Sequence, residues 1–241
     1  MNGVRVSDGA TGQVTEFRSV VEYEGELSFA FRVEAIGDSW LVSTCKDLNE
    51  PIFSLIVSIY SFEPLTLYVE SFTSLMGTRP ELAKRANNAE LSVLRKLPTH
   101  LFLALTPAVC TLFTTPPQLV RLYPQSLRTQ PTPDKPANRD YLIHYYQEVL
   151  GFVPDDQDHL VTFPRVLEQR ADYHFAHHVT TGQRELVRSF LEQLVPLTTE
   201  VNLEHEAEVR VHPTYAPRTQ GRHAQRVSNL AFRLWQDRHL L

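Results

Sequence analysis

Asp172, Tyr173, His174, Phe175, Ala176, His177 and His178 form the densest run of side chains able to do chemistry. His174 and His178 are four residues apart, so a helix projects both imidazoles from one side. Two-histidine metal sites are built in this way. His144 and Glu148 repeat the spacing, and a packed neighbouring helix would let His144 supply a third ligand to zinc or another divalent metal. A metal-dependent hydrolase on His174, His178 and His144 is one reading. The plainer reading starts from the same helical wheel, where His174 and His178 fall among Leu167, Ala171 and Phe175. That places two hydrogen-bonded histidines in a helix–helix interface, and it makes His144 and Glu148 a solvated i,i+4 contact. The HExxH signature is absent. The sequence favours no bound cofactor and keeps zinc as the alternative.

Other chemistries find less support. The two cysteines, Cys45 and Cys110, cannot build a disulfide framework. Cys110 lies in an apolar run that quiets a thiol, and Cys45 stands beside Lys46, a better electrostatic setting. No hydrolase signature surrounds either. GxSxG, GxGxxG and GxxxxGK[ST] are all missing, and the nine glycines are scattered, which disfavours the nucleophile elbow and the common phosphate-cradling loops. Alternating Glu22, Glu24 and Glu26, and again Glu204, Glu206 and Glu208, suit a metal-binding triphosphate tunnel. Such a tunnel also needs many inward cations, whereas solvent faces of half-exposed strands explain the pattern alone.

These residues need elements to hold them. The alternation of 27–35 behind the Glu24–Gly25–Glu26 turn predicts a hairpin with 14–23, and 40–45 reads as a third strand of a β-meander. The 52–60 stretch leans to helix, and 65–72 is open between strand and helix. On a wheel over 80–97, Leu82, Ala86, Ala89, Val93 and Leu97 share one face, while Lys84, Arg85, Arg95 and Lys96 share the other. Five prolines limit 98–124 to short pieces. The proline-rich 130–138 reads as a linker, and helices follow near 139–150, 164–179 and 182–195. Strict alternation over 201–211 predicts a late strand returning to the sheet, before a terminal amphipathic basic helix at 220–239. The expected fold is α+β: an antiparallel meander with the late strand, helices packed on one face, one domain over 1–241. It is β-rich over 1–78, helical over 79–199, and strand plus basic helix over 200–241.

Charge is segregated along this frame. The chain carries 23 basic and 28 acidic residues, a net −5, so it is no globally basic nucleic-acid coat. Residues 79–129 nevertheless hold seven basic and two acidic residues, and the last thirty hold five and one. On the terminal helix Arg222, Arg226 and Arg233 fall within a ~40° arc. The basic faces, Lys84, Arg85, Arg95, Lys96 and the three terminal arginines, suit an anionic partner: an acidic protein surface or nucleic acid. No stretch reaches the ~20 apolar residues of a spanning helix, and the N-terminus lacks a signal-peptide pattern. The sequence thus predicts a soluble cytoplasmic interaction or regulatory protein, and it leaves open whether the chain is an enzyme.

Overall fold

The computed structural model describes residues 3–9, 11–62, 64–89, 91–124, 138–155 and 159–211. Its chain order is β1 (Val4–Ser7), β2 (Val14–Gly25), β3 (Ser28–Gly37), α1 (Trp40–Leu48), β4 (Phe53–Phe62), β5 (Leu65–Ser74), α2 (Leu75–Thr78), α3 (Pro80–Asn88), α4 (Leu97–Cys110), β6 (Leu119–Leu122), α5 (Asn138–Tyr145), β7 (Val153–Pro154), β8 (Leu160–Thr162), α6 (Pro164–His177), α7 (Thr181–Leu194) and α8 (Thr198–Val211). The α+β class is as expected.

An eight-stranded sheet runs β1-β2-β3-β4-β5-β6-β8-β7. Its neighbours are antiparallel except β5 and β6, which pair in parallel from Thr66 opposite Leu119. Alternation sets the two faces. Phe17, Phe29, Phe31, Val33, Phe53, Leu55, Val57, Leu67 and Val69 point into the core, where α7 lies against β1 and β2 and α4 against β4 and β5. The other face carries cross-strand ion pairs, Arg18 with Glu34 at 2.8 Å and Arg32 with Glu22. Core side chains from Val4 to Val201 form one contiguous apolar cluster. No helix among the described residues is long and apolar enough to cross a membrane.

Four local expectations are corrected. The meander holds through β1–β5, but 40–45 is helix α1. Six residues are too few to separate the two periods, and Asn49 closes the helix in the left-handed region at φ 51°. The 52–60 stretch is strand β4: Phe53, Leu55 and Val57 are buried while Ser54 and Ser58 alternate with them, a period of two that its β-branched residues favour. The expected late strand is helix α8. Thr198, Val201 and His205 are buried and Leu203 is 66 % exposed, so one helical stripe docks. Alternating letters mimicked a strand in a segment rich in helix-favouring glutamates.

The fourth correction concerns the middle of the chain. Residues 97–110 form the fourteen-residue helix α4 despite its prolines. Pro98 sits in the first turn, where a backbone N–H has no intrahelical partner to lose, whereas Pro107 lies inside the helix and gives up the N–H that would bond the Leu103 carbonyl. The helix over 80–97 is in turn broken: α3 ends at Asn88, Ser92–Leu94 is a 3-10 turn, and Lys96 adopts φ 55° before α4 begins. The 139–150 helix is present as α5 followed by a π-helical turn, Tyr146–Leu150. Gly151 ends that turn at φ 79°, and a Cβ there would come within 2.7 Å of Arg170. Most of the proline-rich linker and the whole terminal basic helix, with Arg222, Arg226 and Arg233, lie outside the described residues.

Candidate functional site

Three helix ends meet at one corner: the start of α4, the end of α6 and the start of α7. Thr180 and Gln183 explain how α7 begins. The Thr180 hydroxyl accepts from the Gln183 backbone N–H at 3.3 Å, and Gln183 Oε1 accepts from the Thr180 N–H at 3.0 Å, a reciprocal capping box. Gln183 is fully buried, and its side chain reaches further. Its Nε2 donates to Val93 O at 2.8 Å and Arg95 O at 2.6 Å, which fixes the turn entering α4.

That geometry determines a tautomer. Both hydrogens of the Gln183 amide nitrogen go to backbone carbonyls, so Oε1 is an acceptor only. His100 Nδ1 lies 3.1 Å from Oε1 and must therefore carry the proton. His100 Nε2 is left as a bare lone pair, buried and without a hydrogen-bond partner. The ring is 1 % exposed. Its neighbour is His174, with ring centroids 5.5 Å apart at 62°, and His174 Nδ1 is likewise buried without a partner. One turn on, exposed His178 has its ring 5.5 Å from His174. Tyr173, 58 % exposed, touches His174, His177 and His178.

The electrostatics follow from burial and local charge. Burial pushes the His100 imidazole down to about 4; the Gln183 bond opposes this, and His174, Lys96 and His178 add to it. His174 is lowered too, by burial first and then by His178, Lys96 and Arg170. Both rings are thus neutral at pH 7 and hold lone pairs available to a ligand.

The structure separates the expected residues. His174 and His178 come together with Lys96, and Arg95 supplies one carbonyl held by Gln183. Arg95 and Lys96 are exposed. Lys84 and Arg85 are on α3, beyond the break at Asn88, and the Arg85 guanidinium sits over the Trp40 ring at 4.1 Å, so no single helix face carries all four cations. His144 is exposed on α5 and makes no ring contact with His174 or His178. Among the described residues no group of three or more His, Cys, Asp or Glu side chains is arranged to hold a metal ion.

The cysteines and glutamates also change standing. Burial, with Glu50, pushes the Cys45 thiol up to about 11, and burial raises fully enclosed Cys110 as well. Cys45 is in helix α1, and Glu50 sets its electrostatics against ionisation. Glu22 pairs with Arg32, and Glu204 accepts the Glu26 backbone N–H at 2.6 Å, so the two glutamate runs meet at an outer corner. A cleft of about 400 Å³ at the sheet edge, lined by Arg5, Gln13, Glu16 and Asp38, lies apart from the histidines.

His100 and Gln183 escaped the sequence reading. Two signals pointed to them: a histidine inside an apolar run, and Thr180 three residues before Gln183 ahead of an apolar periodic stretch. Comparison with protein-family models, with curated proteins and with solved structures finds no match for this chain.

Proposed function

We propose that this protein is an interaction protein that takes an acidic segment of a partner protein at the corner formed by Lys96, His174, His177 and His178. The observation that carries the reading is the convergence of an exposed lysine at the start of α4 and exposed histidines at the end of α6. Two of the three helix ends at this corner are N-termini, whose positive dipole ends favour negative charge, and the third is the C-terminus of α6, which favours cationic side chains. A carboxylate-bearing chain suits this corner better than a nucleic-acid backbone. Phosphate readers use many cations along a continuous track, whereas the break at Asn88 and the stacking of Arg85 on Trp40 divide the expected track.

Fluorescence anisotropy with a labelled glutamate-rich peptide and with a single-stranded RNA oligonucleotide, both in chelator, tests the reading. The peptide should bind, and Lys96→Gly, which removes an exposed charge, or His178→Ala, which removes an exposed hydrogen-bonding ring, should each weaken it about two- to fivefold. Adding Arg222→Ala, Arg226→Ala and Arg233→Ala tells whether the terminal arginines share the surface. Tight RNA binding with a steep salt dependence, or peptide binding indifferent to Lys96 and His178, would sink the proposal.

A further inference from the structure

The outer face of the sheet carries a line of aromatic rings turned away from the core. Leu67 and Val69 of β5 point inward, so Tyr68 between them points outward. Its ring lies 5.2 Å from Tyr60 on β4 and 6.1 Å from His159, and His159 lies 5.4 Å from Tyr123 at the end of β6. Tyr60 is 64 % exposed and Tyr123 43 %. Single exposed apolar side chains are ordinary, whereas a contiguous row is the mark of a contact surface.

The β4–β5 ladder presents this row through two slips of register. Ile56 faces Ser71 and Val57 faces Val69, which leaves Glu70 as an extra residue on β5. Ile59 faces Leu67 and Ser61 faces Thr66, which leaves Tyr60 as an extra residue on β4. A β-bulge re-aims the side chain it carries. Tyr60 meets the Tyr68 ring, and the Glu70 carboxylate accepts from the hydroxyl of Ser58, the residue opposite Tyr68. Both slips thus converge on one tyrosine of the outer face.

Shape and charge select the occupant. Successive rings are inclined by 34°, 61° and 63°, so the row is a set of ridges with notches between them. Nucleobases stack on flat aromatic faces. A polyproline II helix instead sets its pyrrolidine rings into aromatic-lined notches, and its carbonyls accept from phenol hydroxyls. Four neighbouring strands about 4.8 Å apart make the row roughly 14 Å long, the length of about four to five residues of that helix. Arg121 stands level with Tyr68 on β6, and Asp155 holds its guanidinium at 2.6 Å. Glu70 is exposed, and its bond is to a hydroxyl. A phosphate backbone needs unclaimed cations, whereas an exposed carboxylate suits an arginine or lysine.

We propose that Tyr60, Tyr68, His159 and Tyr123 form a docking groove for a proline-rich segment of a partner protein, with Glu70 taking a basic residue beside the prolines. The groove lies on other elements than the Lys96 corner and does not rest on the acidic-partner reading.

Fluorescence anisotropy of the full chain with labelled decaproline, with and without a leading arginine, tests the proposal. Both peptides should bind, the arginine form more tightly. Tyr60→Ala should weaken both about fivefold or more, as loss of an interface tyrosine does. Glu70→Gln should weaken only the arginine form, about two- to fivefold. Truncating exposed Tyr60 opens no core cavity. Ring-proton spectra of the unmutated protein give a second readout, in which the peptide should shift the Tyr60, Tyr68 and Tyr123 signals. Failure of both peptides to bind, or binding indifferent to Tyr60→Ala, would overturn the proposal. So would an equal effect of Glu70→Gln on the two peptides, or tighter binding of oligothymidine or a xylose oligosaccharide on the same tyrosines. Displacement of decaproline by the glutamate-rich peptide would merge the groove with the Lys96 corner and would overturn it as well.

Discussion

Helix α7 carries two glutamines ten residues apart, and both tie it to distant chain, but they end differently. Gln193 closes its network. Its Nε2 reaches Ser19 O at 3.2 Å, Ser19 Oγ at 3.0 Å and Ser189 O at 3.0 Å, its Oε1 accepts the Val21 N–H at 3.2 Å, and Ser19 Oγ donates to Ser189 Oγ at 2.6 Å. Every group in that list has a partner, and the result is a staple between α7 and β2. Gln183 is equally satisfied itself, yet it hands its order on to His100, whose outer nitrogen faces nothing. A polar network that closes is explained by the fold. One that stops at a buried lone pair leaves a desolvation cost that the fold itself does not offset.

The larger loss of the two glutamines is expected at Gln183. Gln183→Leu keeps the volume nearly constant but strands Val93 O, Arg95 O and the His100 Nδ1–H, and removes half of the capping box. Unfolding in denaturant should show a loss of about 3–5 kcal/mol, the range for breaking a buried network. A loss under about 1 kcal/mol would mean that the turn entering α4 is held by packing alone.

The next effect is a pH dependence. The folded imidazole of His100 titrates near 4, while an unfolded histidine titrates near 6.5. Between those values the unfolded chain binds the extra proton, so stability falls as pH falls. The contribution is fully present above about pH 6.5 and is lost on the way down to about 4. It amounts to roughly 3 kcal/mol from this group, and His174, lowered in the same direction, adds to it. The charged and titratable neighbours are Lys96, His174 and His178, and all disfavour the protonated ring. Denaturant titrations in chelator at pH 7.5 and pH 5 measure the slope, which His100→Phe should flatten. A slope unchanged in that variant would place the sensitivity elsewhere.

Gln193→Leu should cost less, about 1–2 kcal/mol. Its amide is only half-buried, and water can replace part of what is lost. The ranking of the two glutamines is the informative quantity: equal losses would erase the distinction between a closed and an open network.

The sequence made this site legible only in half. His174 and His178 stood out because four-residue spacing is a local property of a helix, and α6 and α7 were legible for the same reason. Gln183 and His100 are 83 residues apart, and only the packing of α7 onto α4 brings them together. α4 itself was hidden by two prolines: Pro98 sits in the first turn, where proline is tolerated, and Pro107 is carried inside a helix whose residues are nearly all buried in the core. Residues 201–211 misled in the opposite way, because apolar and polar letters alternate while burial follows Thr198, Val201 and His205. Period two in the letters is evidence for a strand only when the alternate side chains have a sheet to face. The basic stripe over 80–97 failed at Asn88 and Lys96, where backbone conformation, invisible to a wheel, interrupts the helix.

Lys96 gives the smallest effect on stability and the cleanest separation of roles. It holds φ 55°, ψ 15° at the N-cap of α4 with no side-chain cap bond, and its carbonyl accepts the His100 N–H at 3.2 Å. The backbone of this residue does the structural work, and the ammonium stands free of it. A left-handed conformation costs an L-residue about 1–2 kcal/mol, which glycine avoids, while glycine gives back about 0.5–1 kcal/mol in chain entropy. Lys96→Gly should therefore leave stability within about 1 kcal/mol of the parent, shifted if anything toward greater stability, because glycine is also accepted at an N-cap. The same substitution deletes the one lysine that acts on both His100 and His174. Binding of the glutamate-rich peptide should weaken while the melting curve holds or rises. A variant that loses stability and peptide binding together would show that the Lys96 side chain, and not its backbone, shapes the corner.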